Sequence, residues 1–258
     1  FAFNDLSEGQ YNIAIGYRAG ANVTTSDYST FLGYEAGYGN DSTALTGNSN
    51  TAVGYRAGYS LEGAAQGNTL FGVSAGLNIT TGTNNVCISN FAGDAITTTD
   101  SVILIGNAAG GAINSDDADG TVAVGYQSYT DLTDGQYNTA IGYRTGYNLT
   151  TGNQNVFVGF NAGYGNDSAA LTGDGNTVIG YRAGLDMEGD PDHNTLIGGN
   201  AGGNLTSADY NTIIGYSAGA TLTTTERTVL IGRSAGYAIN HTDANGTVAI
   251  GHEALGAN

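Results

Sequence analysis

The chain has 258 residues, of which 43 are glycine and one is proline; it lacks lysine and tryptophan, and six arginines face 23 acids for a formal charge of −17. Glycine at this density argues against helix bundles, since each interior Gly costs a helix about 1 kcal/mol relative to Ala, and one Pro without a Gly-X-Y period excludes collagen. The charge argues against nucleic-acid and anionic-membrane partners, a single Cys allows no internal disulfide framework, and no apolar run approaches the roughly 20 residues that span a bilayer.

Residues 1–8 read as a lead-in, and the chain opens in the middle of a pattern, as a stretch of something longer would. GQYNIAIGYRAG at Gly9 returns as GQYNTAIGYRTG at Gly135, a shift of 126 residues. The register then holds without insertion. YGNDS at Tyr38 matches YGNDS at Tyr164, and NTAVGYRAG at Asn50 matches NTVIGYRAG at Asn176. The expected organisation is two seven-unit blocks, 9–134 and 135–258, in one continuous array.

Each block divides again. The glycine that closes a short apolar run falls at 16, 33, 54, 72, 106 and 125, with Ser89 in the fifth place, and the same steps recur in the second block. Those steps run from 17 to 21 residues, giving fourteen units of the form N-T-φ-φ-G-Y-x-A-G-x-x-φ-T-T, φ being apolar. A unit this short holds one strand and turns, which cannot bury its own apolar face, so successive units must stack. The predicted fold is all-β: a parallel β-solenoid of about fourteen 17–21-residue coils, with strands about 4.8 Å apart. Glycine at the corner tolerates positive φ, and Asn ahead of each strand can ladder from coil to coil.

Two adjacent columns are apolar in every unit. Side chains alternate along a strand, so one column lines the interior and the other forms an outward stripe larger than a monomer normally exposes. The stripe is assigned to Ala14, Phe31, Ala52, Leu70, Leu104, Phe157, Val178, Leu196, Ile213 and Leu230 as a subunit interface. The alternative is a coil wide enough to bury both columns.

NTAIGYRAG, NTAVGYRAG, NTVIGYRAG and GTVAIG resemble the repeats of trimeric autotransporter adhesin heads of the YadA type, and similar runs occur in phage tail-fibre-like proteins. The resemblance covers essentially the whole chain. It implies a left-handed parallel β-roll that trimerises through its strand sheet, lies outside the cell or on a virion surface, and serves attachment. The sequence departs from that pattern in its longer units, in the 126-residue super-period, and in having no coiled-coil stalk or membrane anchor in view.

No catalytic constellation stands out, so no enzyme activity is expected. His193, His241 and His252 are not repeated between blocks, and Cys87 sits in an apolar column as a packing residue. No cofactor is expected. Asp117, Asp119, Asp243 and Asn245 resemble part of a calcium turn, against the plainer reading of solvated turns. Asn22, Asn40, Asn78, Asn148, Asn166 and Asn204 begin N-x-S/T triplets that pair one block apart, as glycosylation acceptors or as turn chemistry. Tyrosines after the glycine, with Arg18, Arg56, Arg144 and Arg182 beside them, form either a stacked ladder or a sugar platform. The function expected is a structural, adhesive segment of an extracellular fibre, with copies of itself and a surface glycan or receptor as partners. The alternatives are a subunit of a head-to-tail filament and a glycan-binding repeat module.

Overall fold

In a computed structural model of the chain, the structure describes residues 2–39, 43–166, 169–239 and 242–256. It forms two compact units, Phe1–Gln127 and Ser128–Asn258. The first contains β1 (Ile13–Ile15), β2 (Thr30–Leu32), β3 (Thr51–Val53), β4 (Thr69–Phe71), β5 (Val86–Ile88), β6 (Ile103–Ile105) and β7 (Val122–Val124). The second contains β8 (Thr139–Ile141), β9 (Val156–Val158), β10 (Thr177–Ile179), β11 (Thr195–Ile197), β12 (Thr212–Ile214), β13 (Val229–Ile231) and β14 (Val248–Ile250).

Within each unit every strand pairs in parallel, and in register, with the next in sequence: Ala14 lies beside Phe31, Phe31 beside Ala52, and Ala52 beside Leu70. One strand per coil, each returning above its predecessor, is a β-solenoid. The fold is all-β apart from the single 3-10 turns Asp116–Ala118 and Thr242–Ala244. The ladder does not stop where the strands stop. At the corner the Gly20 N–H donates to the Ala36 carbonyl and Gly37 to Ala57, both at 2.9 Å, so corner backbone groups also find partners one coil away. This satisfies polar groups that a three-residue strand alone would leave unpaired.

The glycine that closes the strand is demanded by this stacking. Gly54 has φ +136°, and a Cβ built on it would lie 2.3 Å from the Gly72 carbonyl oxygen of the next coil. Ser89 is the one non-glycine in the column, at φ 105°. Four residues on, a second glycine turns the chain against the core: a Cβ on Gly37 would strike the Phe31 ring at 2.0 Å.

Three columns fill the interior. They are the middle residue of each strand, the residue, usually alanine, three after the closing glycine, and in most coils an aliphatic residue seven after it; Phe31, Ala36, Val23, Leu61, Ile79 and Ile96, for example, are fully buried. In the long coils the third column comes later after the closing glycine, at Leu45 and Leu171. Leu45 bridges Val23 and Gly63, and Leu171 bridges Leu149 and Gly189.

Ahead of the strands the asparagines form the expected ladder, fully buried. Asn68 Oδ1 accepts from the Asn85 N–H at 3.0 Å, while the Asn85 Nδ2 donates to the Thr99 carbonyl at 2.7 Å. Residues 2–8, read from the sequence as a lead-in, run as the return half of a coil. Phe3, Asp5 and Ser7 donate backbone hydrogen bonds to Ala19, Ala21 and Thr24. Phe3 and Tyr129 are 126 residues apart, and both take left-handed backbone (φ 48° and 47°) at a place where most coils have glycine. Their rings pack on the equivalent phenylalanines, Phe3 on Phe31 at 6.4 Å and Tyr129 on Phe157 at 6.1 Å.

Candidate functional site

The strand face is the first candidate surface, and its polarity corrects the sequence reading. Phe31, Ala52, Leu70, Leu104, Phe157, Val178, Leu196, Ile213 and Leu230 have no exposed surface within the single chain, and Ala14 is only partly exposed. They line the coil interior, where no second chain can reach them. In a three-residue strand the middle side chain points one way and its two neighbours the other. The outward columns are therefore the first and third residues of each strand. Ile15, Leu32, Phe71 and Ile141 of the third-residue column are 41–60% exposed. Thr30, Thr51 and Thr69 in the first unit, and Thr139, Thr177, Thr195 and Thr212 in the second, occupy the first-residue column beside Val and Ile. The outward stripe itself is present in each unit, on residues adjacent to those chosen from the sequence.

The second surface is the corner after the strand. In the first unit Tyr17, Tyr34 and Tyr55 stack with ring centres 5.1 and 5.4 Å apart, and Tyr38 and Tyr59 form a parallel stack at 5.0 Å. Arg56 sits between the two stacks, its guanidinium 5.3 Å from the Tyr55 ring and 5.2 Å from Tyr59. The second unit repeats the device with Tyr143, Phe160 and Tyr181 at 5.2 and 5.4 Å, and with Arg144 over both Tyr143 and Tyr147. Because each inner ring's faces are covered by its neighbours, a sugar has ring edges rather than faces to pack against. The ladder reading fits this geometry and the platform reading does not.

Glu35 interrupts the arginine column in the first unit. It is 5% exposed, and its Oε2 accepts from Arg56 Nε at 2.8 Å. That hydrogen bond is the largest of the effects that raise the Arg56 pKa. Burial, then the neighbouring Glu35, raises the Tyr34 phenol above its ordinary range.

The remaining sequence candidates have places in the coil-to-coil ladder. Asp119 Oδ1 accepts from the Asp100 N–H at 2.7 Å, and Asn245 Oδ1 accepts from the Glu226 N–H at 2.8 Å. Asp174, Asp192 and Asp209 do the same in successive coils. Asp117 lies in the 3-10 turn, where its N–H donates to Ser115 Oγ, and Asp243 lies in the equivalent turn. Among the described residues no group of three or more His, Cys, Asp or Glu side chains is arranged to hold a metal ion. Burial, the largest effect, raises the Asp119 carboxyl above its usual range.

The sequon asparagines are likewise engaged. Asn78 and Asn204 donate from Nδ2 to the carbonyls of Asp94 (2.8 Å) and Ala220 (2.6 Å), and Asn22 donates to Gly39 at 3.3 Å. Asn148 is buried, Asn166 lines a polar groove of about 410 Å³ with Asp131, Tyr147 and Thr150, and Asn40 lies outside the described residues. Cys87 is fully buried, and burial pushes its thiol up to about 12, which leaves it a packing residue. His193 packs edge-on against Tyr210, His252 lies 3.1 Å from Arg233, and His241 is outside the described residues. No helix among the described residues is long and apolar enough to cross a membrane.

Compared with known protein families and with curated proteins, the chain matches no family model and no curated sequence significantly.

Proposed function

We propose that this chain is a structural, adhesive segment of an extracellular fibre, without catalytic chemistry, that assembles with copies of itself through the outward face of its strands, as a homotrimer. The supporting observation is the outward aliphatic column, repeated coil after coil in each unit with Ile15, Leu32, Phe71 and Ile141 substantially exposed. An uninterrupted apolar stripe of this kind is an interaction surface in most soluble proteins, because its hydration is unfavourable and its burial is not. The motif resemblance to adhesin heads supplies the trimer and the surface location. The buried asparagine and glycine ladders suit an element under tension, since within each unit successive strands and corners are hydrogen-bonded to one another.

Sedimentation equilibrium of the chain tests the reading. A discrete trimer is expected, and Ile179→Glu with Ile197→Glu is expected to yield a monomer with unchanged circular dichroism. A wild-type monomer at micromolar concentration would remove the interface, and long polymers would favour a head-to-tail filament instead.

A further inference from the structure

The internal duplication lets one tyrosine pair be compared with its twin. Tyr11 and Tyr28, 17 residues apart and one coil from each other, stack with ring centres 5.1 Å apart and planes inclined by 7°. They are the most exposed of the stacked tyrosine pairs among the described residues, Tyr11 at 73% and Tyr28 at 62%. The backbone that carries them is fixed: both residues are left-handed, at φ 58° and 56°, and the Tyr28 N–H donates to the Gln10 carbonyl at 3.0 Å. The equivalent residues, 126 positions on, are Tyr137 and Gln154. Their backbone is the same, with φ 55° and 56° and the Gln154 N–H donating to Gln136 at 2.9 Å. Tyr137 is 61% exposed, yet among the described residues of the second unit no ring stacks on it. Elsewhere in that unit Phe160 separates Tyr143 from Tyr181, and the stacked Tyr147 and Tyr164 are half-buried.

We propose that Tyr11 and Tyr28 are a site of oxidative modification, at which a peroxidase with hydrogen peroxide joins the two phenols as an intrachain dityrosine and staples the first two coils. Each phenol gives up one electron and its phenolic proton. The two phenoxyl radicals form a carbon–carbon bond between ring carbons next to the phenolic oxygens, and the hydrogens displaced from those carbons return to the oxygens. Hydrogen peroxide takes up the two electrons and two protons and leaves as two waters. For separate tyrosines the difficult event is the meeting of two short-lived radicals, and holding both rings on one fixed backbone makes that meeting intramolecular. Exposure gives the oxidant access to both phenols, and exposed side chains change rotamer in picoseconds to nanoseconds, so the rings can turn from the stack into the bonded arrangement. The staple would join coils that otherwise hold each other by hydrogen bonds and packing, and it restrains the unfolded chain as any cross-link does. The pair lies ahead of the strands and not on their outward face, so it stands apart from the self-association proposed above.

The experiment treats the full chain with a haem peroxidase and hydrogen peroxide, then applies denaturing electrophoresis, dityrosine fluorescence and tandem mass spectrometry of proteolytic fragments. Dityrosine fluorescence is expected at the mobility of a single chain, with a peptide pair joined from Tyr11 to Tyr28 and lighter by two hydrogens. Tyr11 is expected to couple about tenfold or more above the equally exposed Tyr137, because only Tyr11 has a second phenol held against it. Tyr28→Phe keeps a stacked ring but no phenol, and is expected to leave Tyr11 unlinked with unchanged circular dichroism. Gln154→Tyr, which rebuilds the pair in the second unit, is expected to create a new intrachain link at Tyr137. Absence of the Tyr11–Tyr28 link, coupling of Tyr11 only to other chains, coupling of Tyr137 as extensive as that of Tyr11 in the wild type, or no link at Tyr137 in Gln154→Tyr would each overturn the proposal.

Discussion

Replacing Asn194 by Ala tests the asparagine ladder at its centre. Asn194 is fully buried; its Nδ2 donates to the Ala208 carbonyl at 2.7 Å, and its Oδ1 accepts from the Asn211 N–H at 3.0 Å. The same side chain donates to Asn176 Oδ1 at 3.1 Å and accepts from Asn211 Nδ2 at 3.0 Å, groups that keep other partners when it is lost. Alanine removes all four bonds and leaves the Ala208 carbonyl and the Asn211 N–H without the partner the side chain gave them, in a place that water does not reach. A buried unsatisfied group costs about 1–3 kcal/mol, so two predict a loss of about 4 kcal/mol. Coils in a solenoid touch only their neighbours, so the effect should be local as well as global. Chemical denaturation would give the energy, and amide exchange would give the place, with the Asn211 amide losing protection first. A loss below about 1 kcal/mol, the worth of one ordinary hydrogen bond, with Asn211 still protected, would refute the argument that the ladder carries the coil-to-coil adhesion. Asn194→Asp adds a pH test: the burial that shelters the amide disfavours a carboxylate and raises its folded-state pKa. The variant should therefore be most stable below the unfolded aspartate pKa and lose stability as pH rises through the folded one.

Gly54→Ala should unfold its coil, because the added Cβ meets the Gly72 carbonyl oxygen at 2.3 Å. Gly246→Ala meets nothing within 4 Å and bears only the backbone penalty of a left-handed residue, about 1–2 kcal/mol, so the two melting temperatures should separate clearly. Cys87 should resist maleimide in the folded protein at pH 8 and react on denaturation, since burial holds the thiol protonated to about 12; rapid native labelling would contradict its placement. The Tyr34 phenol, raised chiefly by burial and then by Glu35, should ionise above its ordinary range in a difference titration against Tyr34→Phe. Its raised folded-state pKa means that this tyrosine's contribution is intact below the unfolded pKa and is lost as pH climbs through the folded value.

The period of the repeat was legible in the chain because identical residues must recur wherever identical coils stack. Gly16, Gly33 and Gly54 announce the corner, and Asn50, Asn68 and Asn85 announce the buried ladder, since each column meets only copies of itself. The delayed column in the long coils, Leu45 and Leu171, was hidden by the inserted residues and became visible once the bridges to Val23 and Leu149 were seen. Residues 2–8 looked like a lead-in because they hold no asparagine–strand–glycine run, yet their hydrogen bonds place them within the pattern.

What composition and spacing determined by themselves was the architecture: one strand per unit, stacked in parallel, with uncharged strand columns and acids confined to turns. What only the tertiary structure decided was direction. Ala14 and Ile15, or Phe31 and Leu32, are equally apolar neighbours, and no pattern of hydrophobicity distinguishes the inward from the outward member. The choice rests on which way the closing glycine turns the chain, and that turn sends Phe31 into the core and leaves Leu32 facing out. The same holds at the corner. Sequence shows Asn161 where the first unit has Glu35, but only the 2.8 Å contact between Glu35 and Arg56 shows what that exchange removes.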